Sequence, residues 1–298
     1  MSNEKVCAII LDYFGADKTE SCLRSLIGQG LDTACVVDNS AAHDASANLH
    51  AAVNRLRAIA DYKIETLTPG QNLGFAKGVN YALHHEAKSQ SPHDYYLLIN
   101  NDAVAGPGLI RGLLSALQKE PQAALAAPRI VSSDPSREYG IWYHRYLGLL
   151  GSRPGRFRFH YFTGCCLLLP RRLVADRSLF DEAFFMYGED AELGFRSSRR
   201  GEIMICAENV FVEHEYGPSV DRSSFFYEYH MARGHLLLSW KTRNTWFETP
   251  FLVIAKGLGL FCRAVVRSYR ARNYVPLQAL FAAGVSRRVV EPHIPRAR

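Results

Sequence analysis

The stretch YYLLINNDAV at residues 95–104 decides how this chain folds, because an apolar run of strand length ends in three polar residues. A continuous apolar run is typical of a strand buried on both faces of a parallel sheet. Tyr95 to Ile99 form the predicted strand, and Asn100, Asn101 and Asp102 follow it. The polar triplet is therefore expected at the carboxyl edge of a sheet, where doubly wound α/β proteins bind ligands.

Three earlier segments repeat this pattern. The apolar run from Val6 to Leu11 ends at Asp12-Tyr13, the run from Ala34 to Val37 ends at Asp38-Asn39, and Tyr62 to Leu67 forms a third. Helical periodicity separates the runs, at residues 17–27 behind an Asp17/Glu20 capping box, 44–60 and 75–86. Strands that alternate with helices over about the first 130 residues predict an α/β fold, with a doubly wound sheet flanked by helices.

The second half of the chain is less regular. Residues 136–162 lack a clear period and are predicted to form a loop over a substrate. Beyond them the sequence predicts a helix over 189–199, a strand near 210–212 and helices over 221–240 and 249–269. We therefore predict one domain of residues 1–245, followed by a helical C-terminal extension of residues 246–298.

Composition and charge limit the classes of function. Seven cysteines without a C-x-x-C pair favour neither a zinc knuckle nor a disulfide framework, so a reducing cytoplasm is expected. The first residues lack the h-region of a signal peptide. Residues 251–298 hold nine basic side chains and one acid, which gives +8 and leaves −2 for residues 1–250. A near-neutral body argues against a nucleic-acid binder.

Two motifs indicate a site for a phosphorylated ligand. A diphosphate is commonly held with a divalent cation, and Asp102 could supply the carboxylate for it; alternatively, Asn-Asn-Asp is only an Asx turn. In NLGFAKGVNYAL, residues 72–83, Gly74 and Gly78 flank the start of a helix whose N-terminus attracts anions. Such a glycine pair is also ordinary turn punctuation.

A third motif, FDEAFFMYGEDAELGFRSSRRG at residues 180–201, places Glu189 and Asp190 at the start of a helix, directly after an aromatic run. Partial desolvation raises the pKa of a carboxyl group and suits it to general-base work. The other interpretation is that these acids are N-terminal helix charges. His214 is a possible metal ligand, although a lone histidine is often structural.

The order and spacing of these motifs resemble family-2 inverting glycosyltransferases of the GT-A fold, especially the bacterial rhamnosyltransferase-like branch. The likeness covers roughly residues 5–245 and implies a mixed, nucleotide-sugar-binding sheet. It implies that Asp102 is a metal carboxylate in the place of a D-x-D motif, that His214 completes the metal site, and that Asp190 is the catalytic base with Glu189 in support. It also implies donor or acceptor contacts at Tyr13, Asp38, Asn39, Asn72, Gly74, Asn80, Asn100, Asn101, Gly164 and Arg196.

Two departures from the family pattern stand out. Asp12-Tyr13-Phe14 replaces the usual Thr- or Asn-Tyr-Asn, and Gly234 stands where asparagine is common. Neither change touches the implied metal ligands or the implied base. The resemblance implies Mg²⁺ or Mn²⁺ as cofactor, a dTDP- or UDP-linked sugar as donor, with rhamnose the first guess, and a saccharide or lipid-linked saccharide as acceptor in surface polysaccharide synthesis. A catalytically inactive sugar-nucleotide-binding or assembly subunit remains the alternative.

The predicted C-terminal helix is amphipathic. Phe251, Leu258 and Val265 belong to one helical face, and Lys256 and the arginines of the helix cluster on the other. A basic amphipathic helix suits an anionic membrane surface, so a cytoplasmic protein peripheral to the inner face of the membrane is one prediction. The second is a helix packed on the domain with its basic face in solvent.

Overall fold

The computed structural model describes residues 4–89, 91–132, 138–174, 178–214, 223–285 and 290. Its strands are β1 (Val6–Asp12), β2 (Thr33–Asp38), β3 (Lys63–Leu67), β4 (Tyr95–Ile99), β5 (Ala103–Ala105), β6 (Ala123–Val131), β7 (Ile141–His144), β8 (Leu150–Gly151), β9 (Arg158–Tyr161), β10 (Cys166–Pro170) and β11 (Ile203–His214). Its helices are α1 (Ala16–Ser25), α2 (His43–Arg57), α3 (Gly74–Ala87), α4 (Leu109–Lys119), α5 (Arg171–Val174), α6 (Glu189–Arg199), α7 (Phe225–Lys241), α8 (Thr249–Ala271) and α9 (Val275–Val285).

An eight-stranded mixed sheet forms the centre of the fold, in the order β3-β2-β1-β4-β10-β6-β11-β5. Strands β1 to β4 run parallel, so their carboxyl ends lie at one edge. Strand β10 is antiparallel to β4, with Cys166 opposite Ile99, and therefore begins at that same edge. The mixed α/β sheet confirms the predicted fold class.

The sheet is covered on both faces. In β1, Ala8 and Ile10 belong to a core cluster that also contains residues of α1, α2 and α4, whereas Cys7 and Ile9 belong to a second cluster with residues of α3 and α6. Alternate residues of a strand point to opposite faces, so a strand buried on both sides is apolar throughout. That explains the continuous apolar runs. All seven cysteines carry free thiols.

Two local predictions were wrong. The stretch 136–162 was predicted to be a loop, but β7, β8 and β9 form a second, three-stranded sheet within it. Its residues alternate, with Ile141 and Tyr143 buried in the core beneath the sheet. Helix α1 also lacks the predicted capping box, since Gly15 is its N-cap and no side chain caps it.

The C-terminal extension packs on the domain, as the second of the two alternatives predicted, but its basic face is turned toward the domain. Lys256 is fully buried, with its ammonium group 5.0 Å from the centre of the Tyr143 ring. Arg263 and Arg267 also face inward, toward His235 and Glu228 of α7. The expectation of a solvated basic face was therefore wrong, because side chains of α7 and β7 cover most of it. The boundary at residue 246 stays a prediction.

Candidate active site

Strand pairing joins the two residues predicted to bind metal. Strand β5 follows Asp102 directly and pairs antiparallel with β11, so that Ala103 lies opposite His214. This register places Nε2 of His214 3.0 Å from Oδ1 of Asp102, although the residues are far apart in sequence. Both side chains are largely buried at this position. An imidazole nitrogen and a carboxylate oxygen thus meet beside the end of β4.

The other residues of the turn point elsewhere. The side-chain amide of Asn101 donates to Thr19 Oγ1 at 3.1 Å and to Asp12 Oδ1 at 3.4 Å. Asp12 is fully buried and also accepts a 2.5 Å hydrogen bond from Thr19. Burial raises the pKa of Asp12, and the hydrogen bond from Thr19 opposes that rise. Asn101 therefore ties the turn to the end of β1 and leaves Asp102 to face His214.

A second turn, after β2, is held by its own side chains. Asp38 is buried, and its carboxylate accepts hydrogen bonds from the backbone N–H of Ser40 and the hydroxyl of Ser46. Asn39 reaches across to the start of α3, where its amide donates to the carbonyl of Gly74 at 3.0 Å. The amide oxygen of Asn72 accepts from the N–H of Gly74 at 2.9 Å. These residues shape the loop that leads into α3.

The segment before α6 lies between α3 and α7. The N–H of Phe75 donates to the carbonyl of Phe185 at 2.7 Å. Gly74 has a φ of +72°, and a Cβ added to it would lie 2.4 Å from the Phe185 carbonyl oxygen. On the other side, a Cβ on Gly234 would lie 2.2 Å from the carbonyl oxygen of Tyr187. Contacts this close admit only glycine unless the backbone moves, so both glycines fix the path into α6.

The first turn of α6 holds two acids in different surroundings. Glu189 is buried, and its Oε2 lacks a hydrogen-bond partner among the described residues. Burial, followed by the charge of Asp190, raises the pKa of Glu189 well above its ordinary value. Asp190 is half-buried, and its Oδ1 accepts a 2.7 Å hydrogen bond from the N–H of Ala191. The arrangement favours a neutral Glu189 beside a more accessible Asp190.

Three further residues that the family resemblance implied as donor or acceptor contacts hold these segments together. Asn80 exchanges two hydrogen bonds with the backbone of Phe180, at 2.8 and 3.1 Å. Arg196 pairs with Glu192 and donates to the carbonyl of Leu179 at 2.7 Å. Gly164 lies against Phe75, which a Cβ on that glycine would approach to 3.1 Å. Their contacts to a donor or an acceptor stay predictions.

A chain of contacts connects the segments that carry Asp102 and Asp190. The N–H of Asn100 donates to the carbonyl of Cys165 at 2.8 Å, and the adjacent Gly164 lies against Phe75. The backbone of Phe75 is in turn bonded to the segment that enters α6. The turns after β1, β2 and β4 lie at the carboxyl edge of these parallel strands. These contacts therefore link the turn that carries Asp102 to the segment that leads to Asp190.

The donor set at this edge fits a divalent cation. Asp102 and His214 offer oxygen and nitrogen, the ligand types that suit Mn²⁺, whereas Mg²⁺ prefers oxygen. The side-chain oxygen of Asn100 is buried and accepts no hydrogen bond from the described residues. A buried polar atom without a partner is costly, and binding a ligand or a hydrated ion would satisfy it.

A family profile matches the part of the chain that forms most of the central sheet. The profile of the family described as Glycosyl transferase family 2 matches residues 7–177, more than half of the chain. The chain is a family 2 glycosyltransferase. The match spans the turns after β1, β2 and β4 and ends before α6. The resemblance inferred from the motifs is thereby confirmed.

Among curated proteins, this family 2 glycosyltransferase is similar to a relative from two strains of Mycobacterium tuberculosis. That relative is named N-acetylglucosaminyl-diphospho-decaprenol L-rhamnosyltransferase. The identity is 26% over 243 residues, which cover 70% of this chain and 78% of the relative. At this identity the relative supports the assignment of the chain to the family, but it does not establish the donor or the acceptor of this chain.

Solved structures of low sequence identity share the fold. A mannosyltransferase from Pyrobaculum calidifontis, in complex with GDP-Man and Mn²⁺, superposes with a TM-score of 0.56 at 14% identity, over 94% of this chain and 86% of that one. GalNAc-T7 with UDP, GalNAc and Mn²⁺ gives 0.58 at 11% identity, over 91% of this family 2 chain. This chain spans only 58% of GalNAc-T7. These likenesses establish the GT-A fold.

Sequence reasoning missed two features that build the site. The first is the role of Asp12, which the sequence placed at a strand end without assigning it a function and which gathers Thr19 and Asn101 at the end of β1. The second is the backbone of Phe185 and Tyr187, which two glycines approach closely. No side-chain pattern marks such a contact, because the carbonyl groups involved belong to every residue type.

Proposed function

We propose that this glycosyltransferase moves a sugar, with rhamnose the first candidate, from a dTDP- or UDP-linked donor to a hydroxyl of a saccharide or lipid-linked saccharide. The observation that carries the proposal is the Asp102–His214 pair beside the end of β4, to which backbone contacts through Phe75 link the segment that enters α6. The M. tuberculosis relative, named as a rhamnosyltransferase, supports the choice of sugar and acceptor class. Surface polysaccharide synthesis is the matching pathway.

Asp190 is proposed to act as the general base. It is the more accessible of the two acids, whereas burial raises the pKa of Glu189 and keeps that group neutral. Asp190 accepts the proton of the acceptor hydroxyl while the hydroxyl oxygen forms a bond to the anomeric carbon. The bond from that carbon to the diphosphate breaks on the opposite side, so the configuration inverts. Glu189 supports the base by its position beside it.

Asp102 and His214 are proposed to hold Mn²⁺ or Mg²⁺, with Asn100 close by. A cation at this position supplies positive charge where the departing diphosphate becomes more negative. The turns after β1 and β2, with Tyr13, Asp38 and Asn39, are proposed to hold the nucleotide. Asn72, Gly74 and the start of α3 lie next to them.

The test combines binding and turnover. Thermal unfolding is measured with UDP, dTDP, GDP and their sugars, with and without Mn²⁺, because a ligand that binds the folded state raises the melting temperature. Asp102→Asn should lose the Mn²⁺-dependent part of the shift. Asp190→Asn should keep the shift and lose about 10²–10⁴-fold in turnover, the range of general-base help. Its isosteric amide preserves shape.

Each outcome distinguishes the alternatives. Normal turnover in Asp190→Asn removes the base role from that residue. A donor-dependent shift without turnover for any sugar nucleotide would instead identify an inactive, sugar-nucleotide-binding subunit. A Mn²⁺ shift that survives Asp102→Asn refutes the metal site.

The protein is also proposed to act in the cytoplasm at the inner face of the membrane, where a lipid-linked acceptor would lie. The exposed Arg270 and Arg272 of the C-terminal segment support this location. Which surface of the chain would contact lipid depends on the orientation of α8.

A further inference from the structure

Helix α8 presents large apolar side chains to solvent. Phe251, Ile254, Leu258, Phe261, Val265 and Tyr269 are here called the outward face. They follow one another at intervals of three or four residues and therefore share one side of the helix. Phe251 is 69% exposed, Leu258 is 63% exposed and Tyr269 is 85% exposed. Soluble proteins rarely expose large contiguous apolar patches unless the patch binds something.

The neighbouring elements extend this surface. Trp246 and Phe247 stack on each other just before α8 and are 70% and 65% exposed. Tyr274, Phe281 and Val285, in and beside α9, are exposed to a similar degree. Aromatic residues thus lie at both ends of the outward face, with Trp246 at one end and Tyr269 at the other.

Buried polar contacts fix the orientation of the helix. Lys256 is fully buried on the opposite side, against Tyr143. Arg267 forms an ion pair with Glu228 of α7, and Arg263 lies 3.4 Å from a ring nitrogen of His235. Rotating α8 to bury its outward face would break these contacts. The exposed apolar surface is therefore built into the packing of the three C-terminal helices.

The charge of the segment indicates which partner fits. Residues 249–290 contain no aspartate or glutamate, and of the basic residues described there Lys256, Arg263 and Arg267 face inward. Arg270 and Arg272, at the end of α8, are exposed. Aromatic residues with cations around an apolar face match the boundary between lipid headgroups and acyl chains. A second copy of the chain would instead bring like charges together.

We propose that the outward face of α8 inserts into the surface of an anionic lipid bilayer, with the helix lying in the plane of the membrane. The inference deepens the location proposed above and does not depend on the identity of the donor. The segment Trp246–Ala271 is also long and apolar enough to cross a membrane, by length and composition alone. Crossing would remove Lys256 and Arg267 from their partners, so an in-plane helix agrees better with the contacts.

The experiment uses the full chain and vesicles of phosphatidylcholine, with or without phosphatidylglycerol. Burial of one Phe or Leu side chain in lipid changes the partition coefficient of the protein between water and vesicles by about ten- to a hundredfold. Phe251→Glu combined with Leu258→Glu should therefore lower co-sedimentation with mixed vesicles by at least about a hundredfold. The matched control is Ile59→Glu with Ile203→Glu, two exposed apolar residues outside α8, which should bind as the parent does.

Further measurements distinguish insertion of the outward face into lipid from binding of another partner to that face. Trp246 fluorescence should shift to the blue with mixed vesicles, and Trp246→Phe should lose that shift. Binding that high salt abolishes and that the α8 variant leaves unchanged would overturn insertion. A dimer in solution that the variant dissociates would assign the face to a second copy, and resistance to alkaline extraction from membranes would assign it to a span.

Two results separate this inference from the proposed reaction. The α8 variant should keep the parent melting temperature and the nucleotide-dependent thermal shift, which shows that it folds. If vesicle binding fails while sugar transfer persists, only the membrane inference is wrong. If vesicle binding holds without any nucleotide-dependent shift, only the proposed reaction is wrong.

Discussion

Replacing Lys256 with methionine should stabilise the protein at neutral pH. The ammonium group is fully buried between α8 and the second sheet, and it has no hydrogen-bond partner among the described residues. Burial, with a smaller contribution from the charge of Arg145, lowers the pKa of Lys256 from 10.5 to about 7. Methionine has a similar length and no charge, so it removes the cost of burying the ammonium group.

The pKa change sets the size of the effect. A fall from 10.5 to about 7 corresponds to roughly 5 kcal/mol of lost stability, because each pKa unit is worth about 1.4 kcal/mol. The contact of the ammonium with the Tyr143 ring offsets about 1–2 kcal/mol of this in the parent protein. Lys256→Met should therefore gain about 3 kcal/mol at pH 7, or roughly 5–10 °C in melting temperature.

The gain should depend on pH in a defined direction. Between pH 7 and 10.5 the unfolded chain holds the Lys256 proton more tightly than the folded chain does, so the parent becomes more stable as the pH rises. The advantage of Lys256→Met should be full below pH 7 and shrink toward pH 10.5. Denaturant titrations of both proteins across this range measure it.

A matched control and a contrary result complete the test. Lys119→Met changes an exposed lysine at the end of α4 and should alter the melting temperature by little at any pH. If Lys256→Met were less stable than the parent at pH 7, the buried ammonium would not be penalised, and the cause assigned to its pKa would be wrong.

Two further predictions concern the site. Gly234→Ala should destabilise the protein by about 2–4 kcal/mol and reduce transfer, because its Cβ would meet the Tyr187 carbonyl oxygen that precedes α6. The control is Gly257→Ala, which has open space around its Cβ and should be neutral or slightly stabilising. Equal melting temperatures for the two variants would contradict the argument. Glu189→Gln should gain stability relative to the parent as the pH rises above the ordinary pKa of a glutamate carboxyl group. Burial and Asp190 raise the pKa of Glu189 in the folded protein, so ionisation of this acid favours the unfolded chain. Melting curves from acidic to neutral pH measure the effect, and a difference in melting temperature that does not change with pH would refute it.

The sequence predicted the fold where periodicity was strong. Strand β4 has the predicted bounds, and α6 was also predicted correctly, because a continuous apolar run and a 3.6-residue period each have one common structural solution. The second sheet was missed because its strands are only two to four residues long. Strands this short leave too few residues for alternation to be recognised.

Helix α8 shows a different failure. Its amphipathic pattern was recognised, and its two faces were assigned correctly to apolar and basic residues. Periodicity identifies the faces of a helix and not which of them the domain covers. Tyr143, Glu228 and His235 cover the basic face, and they come from β7 and α7. A pattern within one segment contains no information about the partners of that segment.

By itself the sequence determined the α/β class, the family and the acids on which the chemistry is proposed to depend, because each is written in local runs and spacings. Only the tertiary structure decided that His214 lies against Asp102, through the pairing of β5 with β11. It also decided that Glu189 is buried while Asp190 is more accessible, and that α8 turns its apolar side outward. The physical reason is the same in each case: burial and electrostatic environment depend on which segments meet in space.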